Sequence, residues 1–153
     1  MLPKDYLAYK LSGVHCTDVS DASGMLLFDV KNKCWSKEMC EICDVQESWL
    51  PALYESYDAV GKVNNPEVPF LNGITVAAGA GDNAAAAIGT NTLASGTCNI
   101  SLGTSGTIFI ANDSFSVDPA NALHSFAHAS GKYHLMGCIL SAASCNSGFW
   151  RIF

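Results

Sequence analysis

The stretch that decides the fold runs from Gly73 to Asn112 and reads GITVAAGAGDNAAAAIGTNTLASGTCNISLGTSGTIFIAN. Its apolar run Ile74 to Ala78 predicts a short buried strand, because a continuous apolar run of this length is typical of a strand inside an α/β fold. The glycines that follow permit a sharp backbone turn. Consecutive alanines after the turn have high helix propensity, so Asn83 to Ile88 is predicted to be a helix. The sequence therefore predicts a strand, a turn and a helix, with Asp82 at the corner.

Asp82 is the only carboxylate in this stretch. We expect it to be the N-cap of the predicted helix, because an aspartate oxygen accepts the free N–H groups of a first turn. In open α/β sheets, corners at the carboxyl ends of strands bind ligands, and a helix dipole keeps a carboxylate ionised there. Asp82 is therefore a candidate proton acceptor. A helix cap without a chemical role is the alternative.

A second motif follows, in which two β-rich runs, CNISL and TIFIA, flank the turn Gly103, Thr104, Ser105 and Gly106. The pattern predicts a hairpin with a polar, glycine-bounded tip. Such a turn can direct backbone N–H groups and hydroxyls at a phosphate without using a lysine. A hairpin loop that binds nothing is the alternative. A carboxylate corner and a phosphate-binding turn in one short stretch together favour phosphoryl transfer.

Composition limits the remaining functions. The chain has 153 residues, of which 49% are hydrophobic, and a formal net charge of −6. It contains no cluster of lysine and arginine, so nucleic acids and acidic membranes are not expected partners. Seven cysteines, an odd number, with no signal peptide and no membrane-spanning apolar run predict reduced thiols in the cytoplasm. Small-molecule chemistry in the cytoplasm is the expectation.

Other segments give weaker signals. The polar segment Thr17 to Gly24 is predicted to cap a helix, with a cleft-facing role for its carboxylates as the alternative. An apolar patch is expected at the C-terminus from Phe149, Trp150, Ile152 and Phe153. Helices are predicted at Pro3 to Leu11, from Ser36 to Cys43 and from Ser141 onward, a helical or turn segment at Pro51 to Glu55, and strands at His124 to His128 and Tyr133 to Leu140.

Two arrangements look like metal sites but do not predict one. Cys40 and Cys43 lack a second pair of ligands at usable spacing, and they are expected to be core residues. His124 and His128 would lie on one face of a strand about 13 Å apart, which is too far for a shared ion. No metal ligand is therefore assigned.

Six short motifs, in this order along the chain, resemble one known family. They are LPKDYL (2–7), TDVSDASG (17–24), GAGDNAAAAIG (79–89), SLGTSG (101–106), HSFAHA (124–129) and LSAASC (140–145). Their order and spacing are similar to the FGGY carbohydrate kinases. The pair Asp82-Asn83 is similar to the branch of the family that acts on xylulose, whereas the glycerol branch typically carries glutamine after the aspartate.

The resemblance implies an α/β chain with the ribonuclease H-like fold of actin-like ATPases, in which two domains close on a cleft. It implies that residues 1–92 are the C-terminal part of a first domain and that residues 93–153 are the N-terminal part of a second. The junction is expected near Asn91 to Gly96. The family's N-terminal phosphate loop, whose aspartate helps to hold Mg²⁺, and its adenosine site have no counterpart here. The chain is therefore expected to be an internal piece of such a kinase.

Residue roles follow from the resemblance in the same way. Asp82 corresponds to the catalytic base, which would take a proton from the C5 hydroxyl of D-xylulose to give D-xylulose 5-phosphate. Asp82 and Asn83 would both contact the sugar. The turn from Gly103 to Gly106 would hold the phosphates of ATP, with Mg²⁺ as the second cofactor. No metal ligand of the kinase is expected within this chain.

Alternatives stay open at this point. The sugar could be another ketopentose such as ribulose, or the chain could belong to the glycerol class. A different class of function is a catalytically incomplete sugar-binding or assembly fragment. Its partner would then be a second copy of the chain or a complementing chain.

Overall fold

The computed structural model describes residues 1–145. The helices within that range are α1 (Pro3–Ser12), α2 (Val19–Ala22), α3 (Lys37–Ile42) and α4 (Asp82–Gly89). The strands within it are β1 (Cys16–Asp18), β2 (Phe28–Asp29), β3 (Cys34–Trp35), β4 (Ala52–Tyr54), β5 (Ala59–Lys62), β6 (Thr75–Ala77), β7 (Cys98–Leu102), β8 (Gly106–Asn112), β9 (His124–Ala127) and β10 (Tyr133–Ile139). Short 3-10 turns lie at Glu47–Trp49 and Pro69–Leu71. The described chain is a mixed α/β structure.

Strand pairing separates the N-terminal part from the C-terminal part. In the N-terminal part, β1 pairs in parallel with β4, whereas β2 with β3 and β5 with β6 form antiparallel pairs. In the C-terminal part, one antiparallel sheet has the order β7-β8-β10-β9. Its register places Gly106 opposite Leu102 on one side and opposite Ile139 on the other. Helix α4 is the last element before this sheet.

Helix α1 shows how local sequence sets the elements. Pro3 is its first residue, where the missing N–H costs nothing and the fixed φ angle favours a helix. Asp5 Oδ2 accepts the N–H of Leu2 at 3.2 Å, as in a capping box. Gly13 ends the helix with φ of 75°, a left-handed conformation that glycine adopts readily. The predicted helix from Pro3 to Leu11 is confirmed and is one residue longer.

Most of the buried apolar side chains in the described residues fall into three clusters. The first lies in the N-terminal part and contains Ala8, Cys16, Val60, Val63, Val76 and Ala78. The second joins the two parts, because Ala127 of β9 packs with Val19, Ala22, Phe28 and Trp35. The third packs Ala87 of α4 against Phe109 and Ala111 of β8. The second and third clusters hold the sheet against the rest of the chain.

The predicted hairpin is confirmed, because β7 and β8 pair antiparallel on either side of the Gly103-to-Gly106 turn. The predicted strands on either side of Gly131 are also confirmed as β9 and β10, and they extend the hairpin's sheet. Helix α3 begins as predicted, since Ser36 Oγ accepts the N–H of Met39 at 3.2 Å.

The prediction of a helical or turn segment over Pro51 to Glu55 is wrong. Ala52–Tyr54 forms β4, which pairs with β1 so that Cys16 lies opposite Ala52. Half-buried Leu53 also packs against the second cluster. A strand partner far away in sequence decides this segment, and the local residues do not reveal it.

The expectation that Cys40 and Cys43 are both core residues is half wrong. Cys40 is buried, but Cys43 is exposed because α3 ends at Ile42 and Cys43 is its C-cap. All seven cysteines lie in the described residues and are free thiols.

Two further expectations concern the C-terminus and membranes. Residues 143–145 are helical, so the helix predicted from Ser141 begins two residues later. The rest of the helix predicted from Ser141, and the predicted apolar patch at Phe149, Trp150, Ile152 and Phe153, lie outside the described residues. Within residues 1–145, no helix combines the length and the apolar character needed to cross a bilayer.

Candidate active site

The candidate active site is built around the start of α4. The chain leaves β6 and turns at Gly79, whose φ of 80° lies in the left-handed region that favours glycine. The N–H of Gly81 donates to Ser20 Oγ at 3.0 Å, which ties the turn to α2. The predicted N-cap role of Asp82 is wrong by one position. Gly81 is the N-cap, because its carbonyl already accepts the first helical hydrogen bond, from Ala85 at 2.8 Å.

Asp82 is the first residue of α4 and is exposed. Its Oδ1 accepts two hydrogen bonds from Asn83, one from the backbone N–H at 2.7 Å and one from Nδ2 at 3.2 Å. Asn83 Oδ1 in turn accepts from Thr107 Oγ1 at 3.3 Å. Within residues 1–145, Asp82 Oδ2 has no hydrogen bond and no ion pair. That oxygen is therefore free to accept a proton from a bound hydroxyl.

A cleft of about 210 Å³ opens beside Asp82. Three parts of the chain supply its walls. The lining residues are Gly81, Asp82, Asn83 and Ala84 from the start of α4, Ser20, Asp21 and Gly24 from the α2 segment, and Phe126, His134 and Met136 from β9 and β10. The cleft is smaller than the roughly 300–1,000 Å³ typical of pockets for drug-sized ligands. Its size suits a small substrate, with carboxylates on one side and rings on the other.

Asp21 connects the cleft to a buried charge cluster around Lys4. Lys4 Nζ lies 2.7 Å from Asp5 Oδ1, 2.8 Å from Asp18 Oδ1 and 3.7 Å from Asp21 Oδ2. Burial lowers the pKa of Lys4, but hydrogen bonds to Asp18 and Asp5 and the charges of both raise it more, so the pKa lies above its ordinary value. Lys4 therefore stays a cation, and it faces three carboxylates.

The carboxyl group of Asp21, in the cleft wall, has a raised pKa. Burial raises its pKa; the Lys4 charge opposes this, and the charges of Asp18, Asp5 and Asp82 add to the rise. The net result is a pKa above the ordinary value for aspartate. Asp21 therefore holds a proton to higher pH than an exposed aspartate does.

Asp18 fixes the position of α2 and is fully buried. Its Oδ2 accepts the N–H of Ser20 at 2.9 Å, the Ser20 hydroxyl at 2.5 Å and the Ser56 hydroxyl at 2.6 Å. The capping role predicted for the segment Thr17 to Gly24 is confirmed, because Asp18 is the N-cap of α2. The alternative role also occurs, because Asp21 in the same segment lines the cleft.

His134 forms the aromatic wall of the cleft and is 2% exposed. Its ring stacks between Phe109, with ring centroids 3.8 Å apart, and Phe126, with centroids 5.1 Å apart. Burial and, to a smaller extent, the neighbouring His128 together lower the pKa of His134 to about 3. The imidazole is therefore neutral at neutral pH. Its Nδ1 has no hydrogen-bond partner within residues 1–145.

The hairpin turn places exposed donors at the end of β7. Residues Gly103, Thr104 and Ser105 are exposed, whereas Gly106 is buried. The carbonyls of Gly103 and Thr104 accept N–H groups from Ala143 at 3.0 Å and Ala142 at 2.8 Å, which fixes the turn. The hydroxyls of Thr104 and Ser105 make no hydrogen bond to any described residue. These hydroxyls are available to an anion from solvent.

Comparison with known families decides the relationship of the chain. The model of the N-terminal domain of the FGGY family of carbohydrate kinases matches residues 1–89, which is more than half of the chain. The chain belongs to the FGGY family of carbohydrate kinases. Its α/β structure is accordingly that of the actin-like ATPase, ribonuclease H-like fold that FGGY kinases have.

Relatives within the FGGY family cover the chain almost completely. The xylulose kinase of Klebsiella pneumoniae is 43% identical over 149 residues, which are 95% of this chain and 31% of that protein. The xylulose kinase of Bacillus subtilis is 36% identical over 158 residues, covering 100% of this chain and 32% of that protein. The chain thus spans about a third of the length of the curated relatives it matches.

Solved structures agree with this relationship. The crystal structure of a xyloylose kinase from Brucella ovis superimposes with a TM-score of 0.92 and 38% identity, covering 99% of this chain and 32% of that one. Plasmodium falciparum glycerol kinase with ADP superimposes with a TM-score of 0.85 and 25% identity, covering 95% and 30%. The expected family and fold are both confirmed.

The structure brings together the two FGGY motifs that sequence reasoning singled out. Thr107 directly follows the Gly103-to-Gly106 turn, and its hydroxyl reaches Asn83 beside Asp82. The roles of these residues in a reaction stay predictions. Sequence reasoning missed Phe126, His134 and Met136, because these residues reach the cleft only through pairing of the distant strands β9 and β10.

His128 and His124, the spaced pair in the sequence, have different environments. His128 is buried; its Nδ1 accepts the N–H of Ser130 at 2.9 Å, so Nε2 carries the proton and donates to the carbonyl of Thr92 at 3.1 Å. Burial lowers the pKa of His128, and this outweighs the opposing hydrogen bond to Thr92. His124 is exposed. His128 therefore ties the segment after α4 to the turn between β9 and β10.

Proposed function

We propose that this chain supplies part of the active site of an ATP-dependent sugar kinase that phosphorylates the C5 hydroxyl of D-xylulose, giving D-xylulose 5-phosphate. One observation carries the proposal. Asp82, whose Oδ2 accepts no hydrogen bond in the described residues, lines a small cleft. The cleft lies where α4 meets the strand that follows the hairpin turn, at the contact between Asn83 and Thr107. The relatives that share these motifs are named xylulose kinases, which supports the choice of sugar.

In the proposed reaction, Asp82 is the catalytic base. Phosphoryl transfer passes through a loose transition state, so the base need only orient the attacking hydroxyl and accept its proton late. Asp82 Oδ2 is the oxygen that would take the proton, because Oδ1 already accepts two hydrogen bonds from Asn83. The second Nδ2 proton of Asn83 remains to donate to another sugar hydroxyl. Asn83 would thus position the sugar, and the adjacent Asp82 would accept the proton.

The two cofactors fit the described residues differently. The turn fits the phosphates of ATP, since its exposed Thr104 and Ser105 hydroxyls are free to donate. ATP, when bound, supplies the γ-phosphoryl group. Residues 1–145 do not by themselves form a Mg²⁺ site, because they contain no group of three or more His, Cys, Asp or Glu side chains placed to hold a metal ion. No step of the reaction is assigned to Mg²⁺ here.

The domain division is part of the same proposal. We propose that residues 1–92 belong to the first kinase domain and residues 93–153 to the second. The family match that stops at residue 89 supports this, as do the positive φ angles at Asn91 (56°) and Gly96 (82°), which break the chain direction after α4. The 153 residues by themselves are then expected not to turn over ATP. The reaction is placed in the cytoplasm, in keeping with the free thiols.

A second candidate function is a sugar-binding or assembly module, and the exposed face of the sheet favours it. One face of β7, β8 and β10 forms an apolar hollow of about 310 Å³. Leu102 is 75% exposed there, and the neighbouring Leu140 is 86% exposed. Exposed apolar surface of this kind marks interaction sites. In this reading the chain would associate with a second copy or a complementing chain rather than catalyse.

The test is an exchange of segments. The 153 residues replace the matching third of the Klebsiella pneumoniae xylulose kinase, and ADP release is measured with D-xylulose, D-ribulose and glycerol. The proposal expects saturable ADP release with D-xylulose at the highest kcat/KM. A higher kcat/KM with ribulose or glycerol would move the assignment to that class. ADP release absent with every sugar, from a folded exchange protein, would favour the assembly module.

The isolated chain provides the complementary measurement. Titration calorimetry with D-xylulose, run beside the ADP assay, separates binding from turnover. Binding without ADP release is expected if the cleft is a half-site. ADP release by the isolated 153 residues would contradict the proposed division of the site between this chain and other segments.

A further inference from the structure

Thr107 holds a fixed position between the hairpin turn and α4. It is the second residue of β8, and it lies opposite Ser101 of β7 and Cys138 of β10. Gly106, immediately before it, is packed so closely that an added Cβ would lie 3.0 Å from the Ala142 Cβ and 3.2 Å from the Ile139 side chain. Strand pairing on both sides and this close packing leave Thr107 little freedom to move.

The Thr107 hydroxyl determines which way the Asn83 amide faces. Thr107 Oγ1 donates to Asn83 Oδ1 at 3.3 Å, and Asn83 Nδ2 donates to Asp82 Oδ1 at 3.2 Å. If the amide were reversed, its oxygen would face the carboxylate oxygen of Asp82, and two acceptors would oppose each other. The network therefore permits one orientation.

This orientation has a consequence for Asp82. The backbone N–H and the Nδ2 group of Asn83 both bind Asp82 Oδ1, so the carboxylate is held by one oxygen only. The other oxygen, Oδ2, is left without a partner in the described chain. If Asn83 were free to rotate, the carboxylate would lose one of its two anchors and would sample other rotamers. Catalytic groups that are a fraction of an ångström out of place lose rate.

We propose that Thr107 is a positioning residue for the reaction, acting on Asp82 through the Asn83 amide. The inference rests on the proposed function of Asp82 as base. It links two motifs that lie apart in sequence: the strand that begins at the anion-binding turn also orients the carboxylate.

The kinetic test uses the exchange protein described above, with Thr107→Val and Thr107→Ser. Valine keeps the shape of threonine but removes the donor, whereas serine keeps the donor. A neutral hydrogen bond is worth about 0.5–1.5 kcal/mol, so Thr107→Val should lower kcat about three- to tenfold with the sugar KM changed less than twofold. Thr107→Ser should stay within about twofold of the parent. Thr75→Val, at an exposed strand position outside the cleft, is the matched control.

The results separate this inference from the proposed function. An active Asp82→Asn exchange protein would overturn the base assignment itself. An inactive Asp82→Asn protein together with an unchanged kcat in Thr107→Val would overturn only the positioning role. Equal losses in Thr107→Ser and Thr107→Val would do the same, because the hydroxyl would then not be the acting group.

A spectroscopic measurement on the 153-residue chain needs no turnover. In ¹⁵N-labelled protein, the side-chain NH₂ signals of Asn83 should shift in Thr107→Val and stay in place in Thr107→Ser and Thr75→Val. Asn83 signals that do not move in Thr107→Val would contradict the network that the structure shows. This measurement decides the inference even if the exchange protein is inactive.

Discussion

The two parts of the molecule are held together by different chemistry. Residues before α4 are organised around a half-buried ammonium, since Lys4 faces Asp5, Asp18 and Asp21. The sheet after α4 is organised around stacked rings, with Phe109, His134 and Phe126 in one column on its packed face. Helix α4 lies between them. Its N-cap Gly81 donates a hydrogen bond to Ser20, and its Asn83 accepts one from Thr107.

The difference teaches how the site is positioned. A buried ion network adds little net stability, because desolvation of the charges offsets their attraction, but it fixes where each group lies. Stacked rings contribute through burial and tolerate small shifts. We therefore expect the carboxylate side of the cleft to be the more rigidly specified side. The ring side supplies shape and a neutral surface.

The largest loss of stability is expected from breaking the ion network around Lys4. Asp18→Ala removes the carboxylate that Lys4, Ser20 and Ser56 all contact, and it leaves a buried cation short of a partner. Loss of one member of a buried pair typically costs about 3–5 kcal/mol of unfolding free energy, and urea denaturation measures it. Glu41→Ala, at an exposed position of α3, is the control and should leave the midpoint unchanged. A loss below about 1 kcal/mol in Asp18→Ala would show that the network does not organise this part.

The stacked rings should make the stability of the chain depend on pH in a defined direction. The pKa of His134 is about 3 in the folded chain, and the ordinary value is 6.5, so the unfolded chain binds a proton first as pH falls. The contribution of neutral His134 to the unfolding free energy is fully present above about pH 6.5. It is lost as pH falls toward 3, by up to about 1.4 kcal/mol per pH unit. His128, whose pKa burial also lowers, acts in the same direction.

The check is urea denaturation of the chain at pH 7.5 and pH 5.5, with His134→Phe beside it. Phenylalanine keeps the stack but cannot take up a proton, so this variant should lose less stability between the two pH values. An equal loss in both proteins would mean that His134 does not set the acid sensitivity of the sheet.

The smallest effect on stability is expected from changes on the exposed apolar face of β7, β8 and β10. Leu102 and Leu140 are 75% and 86% exposed, so replacing both with serine removes little buried surface. Each change should alter the unfolding free energy by less than about 0.5 kcal/mol. Self-association measured by analytical ultracentrifugation should fall if this face is an interaction surface. Sedimentation that is identical in parent and variant would argue against the assembly function.

Local signals in the sequence predicted much of the fold. Pro3, Gly13 and Ser36 mark helix ends, and the glycine-bounded turn marks the hairpin, because each acts on the backbone close to it in sequence. Strand β4 was missed since its pairing with β1 is long-range. Asp82 was predicted to be the N-cap of α4 but is the first residue of the helix, because the preceding Gly81 takes the N-cap position.

Only part of the candidate site could be predicted, again because local motifs are visible in the sequence and long-range contacts are not. Asp82, Asn83 and the hairpin turn stand in recognisable local motifs. Asp21 was visible only as one of two alternatives, and His134 gave no local signal. Its burial comes from rings contributed by β8 and β9, so its lowered pKa is a property of the folded sheet.

The measurement that tests the central claim most directly is the kcat of the exchange protein carrying Asp82→Asn. Asparagine keeps the size of the side chain and removes the proton acceptor, so kcat should fall by about 10²–10⁴-fold while the denaturation midpoint stays close to that of the parent. Asp113→Asn, an exposed aspartate paired with Lys132, is the matched control and should keep full activity. An Asp82→Asn protein with kcat within about threefold of the parent would contradict the assignment of Asp82 as the base.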